Sequence, residues 1–279
     1  MNLLRAADRD AEASVSRPIG VFDSGIGGLT VAGALKELLP SEHVFYIGDT
    51  ARVPYGGKSA ATIERYSMEI SSVLVERGAK VVVVACNSAS ALALPALTSA
   101  LSVPVVGVIQ PGAAAAVLAT RSKRVGVIGT KATVHSGAYE RAIKNLDPEV
   151  EVRALACPLL VPLIEEGWLE DEVTDRVIAR YLDPLLSAGV DTLVLGCTHY
   201  PLLHCALKRF LGNSVSLVDS ARNCAIEVRR VLASHEILVE GLAGGRLEVA
   251  LTDPSAGFLR LAEQSLGLRV GEVEVLSVG

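Results

Sequence analysis

The sequence predicts an α/β fold: two pseudo-symmetric parallel-sheet α/β domains with an active site in the cleft between them. Three observations lead there. Half of the 279 residues are hydrophobic but only 4% are aromatic, and Ala, Val, Leu and Gly dominate. That composition suits buried parallel strands covered by helices. Apolar runs of strand length alternate along the chain with longer helical segments. Two stretches also share one pattern, an apolar run ending in a cysteine with polar residues after it: VVVVACNSA (81–89) and LVLGCTHYP (193–201).

The elements follow in order. Ile19 to Phe22 forms the first strand and runs into DSGIGG. LTVAGALKELL is helical by composition and stops at Pro40. A second strand covers Val44 to Ile47, followed by the turn-rich loop TARVPYGGKS. From 61 to 77, apolar residues at Ile63, Tyr66, Ile70, Val73 and Leu74 mark one helix face. Gly78 then supplies the C-terminal cap. KVVVVACNS is the third strand and SVPVVGVI the fourth. A second set begins near Pro111: helix PGAAAAVLAT, strand RVGVIGT, helix TVHSGAYERAIKNL, strand EVRALAC, a long helical region through 188, and strand DTLVLGC. Asp23 and Cys86 are separated by nearly the same length of chain as Thr130 and Cys197, which suggests an old duplication. The expected division is a loosely ordered extension at 1–17, a first domain of 18–110 with 219–279, and a second domain of 111–218.

Composition excludes several classes. With 26 basic and 31 acidic residues the net charge is −5, and no basic patch marks nucleic acid as a primary partner. No apolar stretch is long enough to span a membrane. The first 17 residues are charged throughout and make no secretory signal. Five cysteines without framework spacing suit a reduced, cytoplasmic protein.

Cys86 and Cys197 carry the sharpest hypothesis. A single cysteine is more often core filler, and that is the reading for Cys157, Cys205 and Cys224. Cys86 and Cys197 instead sit at strand carboxyl ends, where open α/β sheets bind ligands. Zinc sites want close ligand pairs, and only Cys197 and His199 lie close, so no metal is expected. The remaining reading is a thiolate and a thiol facing one carbon from opposite sides. One takes a proton while the other gives one, and no cofactor is needed.

Other residues support that reading while keeping a plainer one. DSGIGG could be a tight strand–helix turn that merely needs glycine. It could also offer backbone N–H groups and Ser24 to a small anion, with Asp23 near an ammonium or a thiol. PYGG (54–57) is an ordinary turn or a place of close backbone approach. Asn87, Ser88 and Thr198 can cap helices or satisfy carboxylate oxygens. His199, two positions from Cys197, is a catalytic candidate. Glu165 reads by periodicity as a surface residue.

These residues bring the chain close to a known family. IGVFDSGIGGLTV, DTARVPYGGKS, VVACNSASA, GVIQPGA, GTKATVHSGAY, CPLLVPLIEEG, LVLGCTHYPLL and VDSA occur in the family's order from 18 to about 221. The chain resembles the bacterial glutamate racemases, cofactor-independent enzymes that make D-glutamate for peptidoglycan. The resemblance implies that Cys86 removes the α-proton of D-glutamate and Cys197 that of L-glutamate. It implies that Asp23 assists Cys86, that His199 assists Cys197, and that Glu165 is an acidic residue near the second thiol. It makes Asp23, Ser24, Tyr55, Gly56, Asn87, Ser88, Thr198 and His199 substrate-binding positions, and it implies a homodimer. One departure is Ser88, where the family usually has threonine; the hydroxyl is kept and a methyl is lost.

Overall fold

The computed structural model describes residues 16–241, 244–253 and 272–278; the first 15 residues of the expected extension lie outside them. Among the described residues ten strands form two sheets, and every strand pair is parallel. The first sheet contains β1 (Ile19–Asp23), β2 (Val44–Gly48), β3 (Val81–Val84), β4 (Val105–Gly107), β9 (Leu247–Leu251) and β10 (Val273–Val275) in the order β10-β9-β2-β1-β3-β4. The second contains β5 (Arg124–Gly129), β6 (Glu151–Ala156), β7 (Thr192–Gly196) and β8 (Ser216–Asp219) in the order β6-β5-β7-β8.

Set against each other, β2-β1-β3-β4 and β6-β5-β7-β8 have one connectivity, so β1 matches β5 and β3 matches β7. In each sheet the strand order reverses beside the first strand of the set. That reversal opens a crevice at the carboxyl ends of β1 and β3, and another at those of β5 and β7. Asp23 and Cys86 leave the first crevice; Thr130 and Cys197 leave the second.

The helices are α1 (Leu29–Leu38), α2 (Ala60–Glu76), α3 (Asn87–Leu92), α4 (Leu94–Ala100), α5 (Ile109–Ala119), α6 (Lys131–His135), α7 (Ala138–Leu146), α8 (Leu160–Glu165), α9 (Glu172–Ser187), α10 (His204–Leu211) and α11 (Ser220–Ser234). Local chemistry sets their ends. Ser59 Oγ accepts from Thr62 N at 3.3 Å to start α2, and Gly78 at φ 83° follows its end. Two expected helices are each broken in two. TVHSGAYERAIKNL divides at Gly137, whose φ of 64° is left-handed. The long region before 188 divides into α8 and α9 at Gly167, φ 80°, with Asp171 capping α9 through Val173 N at 2.8 Å. A glycine free to adopt positive φ ends a helix that periodicity alone would carry on.

Alternate strand residues point to opposite faces, and both faces are buried. Ile19, Val21, Val81 and Val83 join Val125, Val127, Val194 and Val218 in one apolar cluster shared by the two sheets. Helix α11 contributes Ala221, Cys224, Ala225, Val228 and Leu232 to it and packs against α1 and α5. Phe22, Val82 and Val84 face a second cluster, and Ile128, Leu193 and Leu195 a third. The two domains thus share one continuous core.

One buried ion pair stands out. Lys80 Nζ lies 2.7 Å from Glu42 Oε2, with both side chains almost wholly buried. Lys80 also donates to Ile237 O at 2.8 Å, and Glu42 Oε1 accepts from Val239 N at 2.8 Å. The pair therefore ties the segment after α11 to the amino-terminal edge of the first sheet. Glu42→Ala would remove the carboxylate that balances the buried Lys80 charge, and is expected to lower the unfolding free energy by about 3–5 kcal/mol. Replacing both charges, as Glu42→Leu with Lys80→Met, should cost less. Urea unfolding decides; equal losses in the two proteins would show that the charge pairing is not what matters. Among the described residues, no helix is long and apolar enough to cross a membrane.

Candidate active site

The two crevices face one another across a single cavity of about 300 Å³. From the first domain, Ser24, Val53 to Gly57, Cys86, Asn87 and Ser88 line it. From the second come Thr130, Lys131, Pro158, Val161, Pro162, Glu165 and the run Cys197 to Tyr200. The geometry follows from the strand ends. Cys86 stands two residues beyond β3 as the residue preceding α3, and Cys197 stands directly after β7. Pseudo-equivalent positions in the two sheets thus send one sulfur each into the same cavity.

Their surroundings differ. Cys86 Sγ donates to Ser24 Oγ at 3.6 Å. Burial, reinforced by the nearby Asp23 carboxylate, pushes the Cys86 thiol up to about 12, so it keeps its proton at neutral pH. Cys197 Sγ lies 3.9 Å from His199 Nδ1, and His199 Nε2 lies 3.3 Å from Glu165 Oε1. The Glu165 contact is a close ion pair rather than a well-aligned hydrogen bond, since Nε2 finds no partner of good geometry. Burial alone would lower the His199 imidazole. The close contacts with Cys197 and Glu165, then the charges of Cys197 and Asp23, overcome that and raise it to about 10. A cation therefore stands beside Cys197, while a neutral thiol faces it.

Asp23 is fully buried and stands behind the cavity wall rather than in it. Its Oδ2 accepts from Gly25 N and Gly28 N, each at 3.1 Å, and Thr198 Oγ1 reaches its Oδ1 at 3.4 Å. Burial raises its carboxyl against the opposing pull of His199 and these N–H groups. Gly27 in the same turn has no room for a side chain. A Cβ there would lie 2.4 Å from Thr198 Oγ1 and 2.5 Å from His199 Nδ1. The DSGIGG turn is thus a seat on which the Thr198 and His199 side chains of the other domain rest.

The donors around the cavity are arranged for an anion. Asn87 Oδ1 is taken by the Tyr139 hydroxyl at 2.8 Å, which orients the amide, while its buried Nδ2 has no protein partner. An orphaned buried donor costs about 1–3 kcal/mol, so its place in the cavity wall points to a ligand oxygen. Ser88 Oγ, Thr130 Oγ1 and Thr133 Oγ1 form a hydroxyl cluster across the two domains, with Ser88 and Thr130 2.9 Å apart. Tyr55 lines the cavity too, but its hydroxyl is committed to Asp49. Gly56 passes so close to Thr130 that a Cβ would sit 2.7 Å from Thr130 Cβ.

Every residue singled out in the sequence except Asp23 lines this cavity. Thr130 and Lys131 were missed. The match between the two sets, which aligned Thr130 with Asp23, held the signal for Thr130. Cys157 and Cys224 are buried, and Cys205 is exposed. Among the described residues, no group of three or more His, Cys, Asp or Glu side chains is placed to hold a metal ion.

Comparison with known proteins agrees with this architecture. Residues 28–226 match the Asp/Glu/Hydantoin racemase family. A glutamate racemase of Geobacter metallireducens is 53% identical over 262 residues, 94% of this chain and 97% of that protein. The crystal structure of a glutamate racemase isoform from Bacillus anthracis superposes with a TM-score of 0.89 at 40% identity, covering 93% of this chain and 97% of that one. A glutamate racemase of Francisella tularensis in complex with D-glutamate gives 0.86 at 35% identity over 94% and 98% of the two chains. With sequence, fold and strand-end geometry in accord, the chain belongs to the Asp/Glu/Hydantoin racemase family.

Proposed function

We propose that this protein interconverts L- and D-glutamate without a cofactor, with Cys197 and Cys86 as acid–base partners on opposite faces of the substrate. The observation that carries this reading is the pair of sulfurs entering one cavity from pseudo-equivalent strand ends, one beside a cation and the other a neutral thiol.

Starting from L-glutamate, the Cys197 thiolate takes the α-proton and becomes a thiol, leaving the electron pair on Cα. The Cys86 thiol then delivers its proton to the other face and becomes a thiolate. Solvent exchange restores the starting protonation state. The developing negative charge spreads into the α-carboxylate, where the Asn87 amide and the Ser88 and Thr130 hydroxyls are placed as fixed donors. From D-glutamate the cycle starts with Cys86 as thiolate. Burial and the Asp23 carboxylate disfavour that form, so the substrate ammonium has to supply the balancing charge. Asp23 orders the Thr198 side of the cavity from behind. The product D-glutamate serves peptidoglycan synthesis in this reading, which also carries a cytoplasmic, homodimeric enzyme.

The direct test is to follow optical rotation of purified protein with L-glutamate, D-glutamate and the two aspartates. Racemisation of glutamate from either side supports the reading; activity confined to aspartate would move the assignment to a sister enzyme.

His199→Asn is expected to lower kcat from L-glutamate about 100-fold and kcat from D-glutamate less. KM must compensate, because the overall equilibrium cannot change. The imidazolium is the competent form, so kcat/KM for L-glutamate should fall as pH rises through about 10 in the wild-type enzyme. The substrate ammonium titrates in both proteins, so the His199 contribution is read as the difference between the two profiles. Superimposable profiles would refute this role.

A further inference from the structure

One fully buried carboxylate beside the site has no role in the chemistry above. Asp49, directly after β2, is 0% exposed and lies outside the cavity wall. Three donors converge on it, two from the loop that follows it and one from beyond the end of β9. Thr252 Oγ1, just beyond β9, donates to its Oδ1 at 2.9 Å. Arg52 Nε donates to its Oδ2 at 2.7 Å, and the Tyr55 hydroxyl donates to the same oxygen. The main chain repeats the tie, since Ala51 N donates to Thr252 Oγ1 at 2.9 Å and Asp49 N to Asp23 O at 3.0 Å. Arg52 is itself held by Glu69 on α2 and stacks over the Tyr66 ring at 4.2 Å.

Residues 53 to 57, which follow this hub, form one wall of the cavity. At the far end of that strap Gly56 rests against Thr130 of the second domain. The strap therefore has two supports: a close van der Waals contact across the cavity, and one buried charge that gathers its anchoring donors. A carboxylate can satisfy several donors at once with short, charge-assisted bonds, and an alanine or a hydrocarbon side chain could satisfy none.

We propose that Asp49 is a positioning residue that fixes the 53–57 strap to the end of β9 and thereby sets the enzyme's affinity for substrate without touching it. This rests on the glutamate racemase reading. Because the strap lies beside the substrate and carries neither thiol, loosening it removes binding shared by ground and transition states.

The test uses the whole chain with both enantiomers. Asp49→Ala is expected to raise KM for L- and D-glutamate by about tenfold or more, with kcat held within about threefold. Asp49→Asn keeps one acceptor oxygen and the side-chain volume, and should recover part of that loss. Thr252→Val, outside the cavity, removes a single tie and should raise KM by about threefold; it keeps the test open if Asp49→Ala does not fold. Wild-type turnover of glutamate separates the inference from the reading it rests on. With wild type active, variants that melt at lower temperature but keep wild-type KM would make Asp49 merely structural and overturn the proposal. So would a loss of kcat at unchanged KM.

Discussion

Cys86→Ala and Cys197→Ala should each abolish racemisation in both directions, with a loss of at least about 10³-fold. Either direction needs one sulfur to take a proton and the other to give one, so neither variant can complete a cycle. The two variants should still differ in what they retain. With Cys86 gone, Cys197 and the His199 cation beside it remain intact. In D2O that variant should exchange the α-proton of L-glutamate with retained configuration and leave D-glutamate untouched. Cys197→Ala should show the opposite preference, and more slowly, because Cys86 starts as a thiol held at about 12. Proton NMR of the α-position with optical rotation of the same sample reads both quantities. Full turnover by either variant would refute the two-thiol cycle. Exchange of the same enantiomer by both would refute the assignment of faces.

Gly27→Ala should be strongly damaging although it removes no chemical group. The added methyl would meet Thr198 Oγ1 at 2.4 Å and His199 Nδ1 at 2.5 Å. Ordinary contact at that point needs roughly 1 Å more, and His199 is buried, with Cys197 and Glu165 on its two nitrogens. The ring has to shift from the position in which it meets Cys197, and a displacement of that size costs about 100-fold in rate. Overpacking of the turn should cost a further 1–3 kcal/mol or so of stability. The measurements are kcat in both directions and a thermal melt. A variant that melts several degrees lower but turns over at the wild-type rate would show that the seat under His199 tolerates the methyl, and that the Cys197–His199 geometry is not as constrained as argued.

How far the site could be read before the fold was known depended on the kind of signal. Cys86 and Cys197 were legible because an apolar run followed by a cysteine and a polar residue marks a strand's carboxyl end, where parallel sheets bind ligands. Their sharing of one cavity followed from the likeness of the two halves, which the strand orders β2-β1-β3-β4 and β6-β5-β7-β8 repeat. Glu165 was illegible from periodicity: it ends a short helix with its side chain 41% exposed and meets His199 only because α8 packs beside the Tyr200–Leu203 turn that follows β7. Tyr55 and Gly56 belonged to what could have been an ordinary turn, and nothing local says that the Tyr55 hydroxyl turns back to Asp49. Gly27 is the clearest case. The sequence offers a glycine-rich turn, while the reason for this glycine is a contact with residues more than 170 positions away. Gly137 and Gly167 broke two expected helices for the converse reason. There the decisive property is local, a positive φ, but periodic neighbours on both sides hide it.

The claim that two thiols work on opposite faces is tested most directly by the isotope content of product and residual substrate early in the reaction. Wild-type enzyme is incubated with L-glutamate in D2O, stopped at low conversion, and the two enantiomers are separated. The α-proton leaves on Cys197, while Cys86 delivers a deuteron already exchanged from solvent. The account therefore expects D-glutamate fully deuterated at Cα and residual L-glutamate still carrying protium. D-glutamate that retains the original protium would mean that a single group carries the proton from one face to the other, and would contradict the account.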